Sequence, residues 1–289
     1  MKALAAVLLL VVAVNGAWKG GLRTTWGVGL GLGTDFFYEI PRSLEEVKSQ
    51  GWVLTDKADG LPLPSLALYC SEDRILCGFF DETEYVVGLQ VSLPVDEVTD
   101  IIFDMPTQGF IIWETEVDGK LKKFYSIQQY FINEDTLKQS VEDRLSKWDS
   151  SKTLQEKSIW VTGFNGTLLE ISTVADDIAN GDDFTKQACV PWMGRHYYYK
   201  MSAETECKAD TLLPWFPIVE SGELIATGLI SFLKLSKTYK WFEKPSKAAV
   251  QFIVPDGPKC LYDLAEDSAL TTMHIYYVNQ PWLVSCLWQ

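Results

Sequence analysis

Residues 110–125, FIIWETEVDGKLKKFY, carry the strongest local signal in the chain and point to a β-rich fold. Strand-like patterns lie on both sides of Asp118-Gly119. An Asp-Gly pair between two such patterns is a strong signal for a two-residue hairpin turn, because both positions favour positive φ. The sequence therefore predicts two antiparallel strands joined at residues 118–119.

A second hairpin is predicted at Asn165-Gly166, between strands at 158–164 and 167–174. The hairpins, and the lack of regular alternation between strands and helices, favour antiparallel pairing. The predicted class is α+β and β-rich, with sandwich-like or barrel-like antiparallel sheets, a few short helices and disulfide staples. Further strands are predicted at 85–91, 195–201, 223–233, 270–278 and 282–287.

Short helices are predicted where capping residues precede apolar periodicity. Ser43 with Glu46 forms a capping box that opens the first helix. The clearest helical pattern is predicted over 134–148, with Asn133 as its cap. Two more short helices are predicted at 246–254 and 261–266.

The N-terminus has the pattern of a cleavable signal peptide. Lys2 precedes an apolar run over 3–14, and residues 14–17 include small residues of the kind found at cleavage sites. We therefore expect residues 1–16 to be removed and the protein to be secreted into an extracellular space. No later segment reaches the roughly 18 apolar residues of a membrane span, so no membrane anchor is expected.

The amino-acid composition of the mature chain changes at an acidic, turn-rich stretch over 175–187, which is therefore a candidate domain boundary. Residues 17–175 are predicted to form an N-terminal β-rich region. Residues 188–289 are predicted to form a C-terminal α+β region rich in cysteine and aromatic residues; one continuous domain over 17–289 is the alternative. The glycine-rich segment 27–33 does not fit a dinucleotide-binding frame and is expected to be extended.

Cysteine usage agrees with export. An even number of cysteines in an oxidising compartment predicts disulfides, although sequence alone does not choose among the connectivities. Asn165-Gly166-Thr167 is a glycosylation sequon at an exposed hairpin turn. The expected disulfides join neighbours along the chain: Cys70 with Cys77, Cys189 with Cys207, and Cys260 with Cys286.

The charge of the chain limits its partners. The formal net charge is −14, which argues against nucleic acid and against anionic lipid surfaces, since both require a basic face. It is compatible with solubility, cationic partners or divalent cations.

Both histidines of the chain occur in His-x-Tyr segments with strand-like patterns. They are His196 with Tyr198 and His274 with Tyr276. Residues two apart in a strand share a face, so each histidine is expected to project with its tyrosine. If the two strands were adjacent, the four side chains could bind a metal with a nearby carboxylate or provide acid–base groups. The alternative is a pair of hydrogen-bonded histidines in an aromatic core.

The acidic stretch also bears on cofactors. Asp176, Asn180 and Gly181 fit three positions of an EF-hand loop, but Ile178 and Gln187 stand where acidic ligands are required. An EF-hand is therefore excluded. An irregular, weak Ca²⁺ site remains an alternative to a solvated loop.

Three functions follow from these observations. The leading hypothesis is an extracellular binding protein with an aromatic-rich ligand surface for a small molecule, a glycan or an extracellular protein. The second is a secreted enzyme that uses the four His and Tyr residues as a metal-assisted or acid–base catalytic site. The third is an acidic, Ca²⁺-associated matrix protein. The eleven tryptophans are expected either to fill the core or to form platforms for sugar rings.

Overall fold

The computed structural model describes residues 19–25 and 36–286. The expected signal peptide (1–16) and the glycine-rich segment (27–33) lie outside the described residues. Within the described part of the chain, no helix is long and apolar enough to cross a membrane.

The β-rich, antiparallel fold is confirmed: the strands form two eight-stranded antiparallel sheets. The first sheet has the order β12-β13-β14-β15-β16-β1-β2, and β7 pairs with β15 outside this path. Its strands are β1 (Gly20–Thr25), β2 (Phe37–Glu39), β7 (Val98–Ile101), β12 (Phe184–Val190), β13 (Gly194–Tyr199), β14 (Trp215–Glu220), β15 (Glu223–Leu235) and β16 (Leu270–Val278).

The second sheet has the order β11-β10-β9-β6-β5-β4-β3, and β8 pairs with β9. The first sheet combines strands from both predicted regions, 17–175 and 188–289, whereas the second is built entirely from residues before 175. The strands of the second sheet are β3 (Val53–Thr55), β4 (Ala67–Cys70), β5 (Leu76–Phe80), β6 (Val86–Pro94), β8 (Ile111–Val117), β9 (Lys120–Tyr130), β10 (Ser158–Thr162) and β11 (Leu168–Ser172).

Both predicted hairpins are confirmed. Val117 pairs with Lys120, which leaves Asp118 (φ 51°) and Gly119 (φ 72°) as the two turn residues. Positive φ at both positions matches the right-handed twist of the strands. At the second hairpin, β10 and β11 pair, and Asn165 adopts φ 53° in the turn between them.

The described residues include six short α-helices. The predicted caps explain where several begin: Ser43 accepts a hydrogen bond from the Glu46 amide at 3.2 Å. The helix predicted over 134–148 is wrong in extent, because Ser140 caps a separate helix by accepting from the Asp143 amide at 3.1 Å. The helices are α1 (Leu44–Ser49), α2 (Glu134–Leu137), α3 (Val141–Lys147), α4 (Ala175–Asn180), α5 (Lys247–Ile253) and α6 (Lys259–Glu266).

Two strand assignments differ from the sequence prediction. The strand predicted at 282–287 is wrong: Pro281–Leu283 forms a 3-10 turn. Strand β14 was not predicted, since Pro217 lies in its middle and proline lacks the amide that a central strand uses for pairing.

The sheets pack face to face, and two helices form a further layer outside the first sheet. Leu89 of the second sheet and Leu229 of the first belong to one buried cluster between the sheets. On the outer face of the first sheet, Val250 of α5 and Leu261 of α6 join a second cluster. Because both faces of the first sheet are covered, every residue of β16 is buried.

Three disulfides link the chain, and two differ from the prediction. The Cys70–Cys77 bond is confirmed. The predicted pairs Cys189–Cys207 and Cys260–Cys286 are wrong, because the structure joins Cys189 to Cys286 and Cys207 to Cys260. The fold brings distant segments together: the Trp192 amide donates to the Val284 carbonyl at 2.7 Å, which holds the C-terminal segment against the turn after β12.

Candidate functional site

The predicted His-x-Tyr pairs lie on the outer face of the first sheet, beneath α5 and α6. Tyr198 and Tyr276 belong to the buried cluster that Val250 and Leu261 of these helices complete. The rings of His196 and Tyr198 stack with centroids 6.4 Å apart and planes 10° apart. Alternation along β13 therefore places a histidine and its tyrosine on one face, as the spacing predicts.

The two histidines lie close together although their strands are not neighbours. Strands β14 and β15 separate β13 from β16. The ring centroids of His196 and His274 are nevertheless 5.9 Å apart, with planes at 85°.

A phenylalanine over a glycine makes this approach possible. Phe216 of β14 pairs with Gly228 of β15, and a Cβ atom on Gly228 would lie 1.8 Å from Phe216 Cζ. The Phe216 ring occupies this space. It stacks on His196 at 5.8 Å and meets His274 edge-on at 5.6 Å.

His196 is a neutral imidazole at physiological pH. Its side chain is fully buried, and Nδ1 lies 3.1 Å from the Gly194 carbonyl oxygen. Burial, followed by the electrostatic effect of the neighbouring His274, lowers the pKa of His196 to about 3. His196 therefore contributes a polar ring and no charge.

His274 faces a buried carboxylate that no sequence pattern identifies. Its Nδ1 lies 3.0 Å from Glu243 Oε2. Glu243 is held by a two-way backbone bridge: its amide donates to the Thr272 carbonyl at 2.8 Å, and the Thr272 amide donates back at 2.9 Å. The bridge pairs Glu243 with Thr272 of β16, two residues before His274. Residues two apart in a strand share a face, so Glu243 lies beside the His274 side chain.

The two tyrosines keep their protons. Burial raises the pKa of Tyr198 and of Tyr276, and the negative charge of Glu243 raises both further. The Tyr276 hydroxyl donates to the Trp192 carbonyl at 3.5 Å. Neither phenol is therefore arranged to act as a base near neutral pH.

A small cavity of about 40 Å³ opens between these side chains and the helices. Of the four predicted residues, Tyr198 and His274 line it, while His196 and Tyr276 support its wall. Phe216, Glu243 and Thr272 also line it. The rest of the wall is apolar and comes largely from α5, α6 and the facing strands. A water molecule needs at least about 10 Å³ on this measure, so the cavity has room for a small group or a few waters.

The predicted metal and calcium sites have little geometric support. In the described ranges, the single group of three candidate ligands within 4.8 Å of one another is Cys189, Glu220 and Cys286. Two of these three residues are bonded to each other as a disulfide. The acidic stretch is not a loop throughout, since Asp176 and Asn180 lie on α4.

The surface features predicted from sequence differ in exposure. Asn165 is exposed at its hairpin turn, as expected for a sequon. The described tryptophans are all buried or half-buried, which does not favour an open platform for sugar rings. Trp18, Trp26 and Trp288 lie outside the described residues.

Sequence reasoning missed Glu243, Phe216 and Gly228. Glu243 lies in no recognisable motif. Gly228 carried a usable signal, because an isolated glycine inside a strand pattern often marks close approach of another group. That signal does not identify which ring approaches.

The site is thus a row of buried rings that ends at a carboxylate and a small, largely apolar cavity. Such an arrangement can hold a small ligand by apolar contact and orient it by a few polar groups. Neither a protein-family model, nor a curated protein, nor a solved structure matches the chain.

Proposed function

We propose that the protein is an extracellular binding protein that holds a small molecule in the cavity beneath α5 and α6. The observation that carries this proposal is the lining of the cavity by apolar and aromatic side chains with Glu243 and His274 in its wall. Ligand sites characteristically combine apolar walls with a few convergent polar groups. The larger clefts on this protein, of about 440 to 610 Å³, are open and lined by many charged residues.

The extracellular location is supported by the disulfides. Three bonds join all six cysteines, and stable disulfides are typical of oxidising compartments. The signal-peptide pattern of residues 1–16 points the same way.

A small molecule fits the site better than a glycan or a protein does. Glycan platforms require an exposed aromatic face, and the described tryptophans do not offer one. The cavity is largely apolar, and its volume of about 40 Å³ suits a ligand of few atoms. A longer ligand would require α5 and α6 to move away from the sheet.

The enzyme hypothesis retains one supporting observation, the short distance between His196 and His274. However, His196 stays neutral above a pKa of about 3, and both phenols stay protonated. Three of the four predicted catalytic side chains therefore do not exchange a proton near neutral pH, so binding is the better-supported function.

A cavity-filling substitution tests the proposal. Ala249 lines the cavity, whereas the adjacent Ala248 is exposed on the same helix. We expect 1-propanol to raise the Tm of the wild-type protein, since a ligand that binds only the folded state stabilises it. Ala249→Phe should abolish this shift.

The matched control is Ala248→Phe, which adds the same side chain outside the cavity and should keep the shift. Both variants are first compared with wild type without the probe, by circular dichroism and Tm. An unchanged shift in Ala249→Phe, or no shift in the wild-type protein with any of the probes named here, would contradict a ligand site in this cavity.

A further inference from the structure

We infer that the ligand of this cavity is a small organic cation, an amine with an apolar body, whose ammonium group binds at Glu243. The inference rests on the proposed function and specifies its ligand class. It follows from four features of the cavity wall: a buried carboxylate, its fixed position, the aromatic rings beside it and the apolar remainder.

The carboxylate is the first feature. Glu243 lines the cavity and is 3% exposed, so its charge acts in a medium of low polarity. An ionised carboxylate has two oxygens and about four acceptor sites. An ammonium group can therefore bind at Glu243 together with His274, whose Nδ1 is 3.0 Å from Oε2. Charge-assisted hydrogen bonds of this kind are roughly twice as strong as neutral ones.

The position of the carboxylate is the second feature. The paired backbone hydrogen bonds with Thr272, at 2.8 and 2.9 Å, fix the Glu243 main chain against β16. His274 contacts the side chain. A polar group fixed before binding loses little freedom when the ligand arrives, which favours affinity.

The aromatic rings are the third feature. Tyr198 and Phe216 both line the cavity and stack on each other with centroids 4.7 Å apart. The face of an aromatic ring is electron-rich and attracts a cation within about 6 Å. His196 extends the row as a neutral ring, so it places no positive charge against an incoming ammonium group.

The apolar remainder is the fourth feature. Ile230 of the sheet, Val250 and Ile253 of α5 and Leu261 of α6 close the cavity. These side chains offer no hydrogen bond, so the rest of the ligand must be alkyl or aryl. A hydrated inorganic cation would lose its water shell against these walls without replacement ligands.

The charge of the protein favours the same class of ligand. A net charge of −14 attracts cations to the surface and repels anions. A carboxylate ligand would in addition meet Glu243 inside the cavity, where like charges repel strongly.

Three probes of matched shape and few atoms test the inference: propylamine, 1-propanol and propionate. At pH 7 they carry one positive charge, none and one negative charge. We expect calorimetric titration of the wild-type protein to give a Kd for propylamine at least about tenfold lower than that for 1-propanol, a difference equivalent to about 1.4 kcal/mol. Propionate should bind most weakly. Ethylamine, ethanol and acetate repeat the comparison for a smaller body.

Two variants locate the effect. Glu243→Gln keeps the shape of the side chain and removes its charge, so it should raise the Kd of propylamine at least about tenfold and leave that of 1-propanol nearly unchanged. Glu266→Gln removes the same charge from the exposed face of α6, where Glu266 pairs with Lys247. It should leave both values unchanged.

The outcomes separate the two proposals. If 1-propanol binds the wild-type protein and Ala249→Phe abolishes this binding, but propylamine binds no more tightly than 1-propanol, the cavity is a ligand site and the cation inference is wrong. If none of the six probes binds the cavity, both proposals are wrong. The wild-type comparison decides this even if Glu243→Gln fails to fold.

Discussion

The ring of Phe216 lies over Gly228, at the place where any larger residue would put its Cβ atom 1.8 Å from Phe216 Cζ. This contact bridges the gap between two histidines on non-adjacent strands. Phe216 contacts both imidazoles, with centroids 5.8 Å from His196 and 5.6 Å from His274. The architecture of the site therefore depends on the absence of one side chain.

Gly228→Ala is expected to destabilise the protein, because the new methyl group and the Phe216 ring cannot occupy the same space. Overpacking of this kind costs about 1–3 kcal/mol. Urea unfolding at pH 7 measures the change in the free energy of unfolding.

A double-mutant cycle supplies the control. Phe216→Ala removes the ring and is itself costly, by about 3–5 kcal/mol. In that background, Gly228→Ala should cost much less than it does alone, since its clash has gone. Additive effects would show that Gly228 acts through something other than contact with Phe216.

His196 is expected to make the protein less stable at acidic pH. Its pKa is about 3 in the folded state and near 6.5 in an unfolded chain. Between these values the unfolded chain binds a proton that the folded protein does not, so stability falls as pH falls. The loss accumulates at about 1.4 kcal/mol per pH unit below pH 6.5.

His196→Gln should reduce this acid sensitivity. Between pH 7.5 and pH 5, wild type is expected to lose about 2 kcal/mol more than the variant. Measuring the difference between two pH values cancels any constant cost of the substitution, and His274 is common to both proteins. Equal losses would mean that His196 takes up a proton in the folded state.

Features that depend on neighbouring residues were predictable from the sequence. The turn at Asp118-Gly119 requires positive φ at two consecutive positions, and this pair of residues adopts it readily. The cap at Ser43 satisfies an amide only three residues away. In both cases, the residues that identify the element also make the contact that defines it.

Features that depend on strand order were not predictable. His274 and Glu243 meet because the segment after β15 folds back, so that Glu243 pairs with Thr272 of β16. No periodicity in the sequence predicts this pairing. The disulfides show the same limit, since Cys189 bonds to a cysteine 97 residues away and not to its nearer neighbour Cys207. The four His and Tyr residues were found through local spacing, while Glu243 could be found only through the fold.

The Cys207–Cys260 bond is expected to stabilise the protein more than Cys70–Cys77 does. It closes a loop with a sequence separation of 53, against 7 for the other bond. By chain entropy, the bonds contribute about 4 and about 2 kcal/mol, respectively. Replacing each pair by alanines and measuring urea unfolding tests the order.

Peptide mapping without reduction is the control for this comparison. It should give a peptide that joins Cys207 to Cys260 and another that joins Cys189 to Cys286. Stability losses in the reverse order would indicate that strain or packing, rather than loop length, dominates these bonds.

Asn165 is expected to carry an N-linked glycan when the full chain is expressed in a eukaryotic secretory system. The residue is exposed and lies in the turn between β10 and β11, where its φ is 53°. The intact mass should exceed that of the polypeptide and fall after glycosidase treatment. Asn165→Gln and Thr167→Ala should each remove the added mass, because both break the sequon while leaving the other residue in place.

Asn133→Gln is the matched control, since Asn133 caps α2 and lies in no sequon. A secreted product with the mass of the bare polypeptide would show that exposure at this turn is not enough for modification. If the cell retains the chain and leaves it unmodified, the prediction of export from residues 1–16 is contradicted as well.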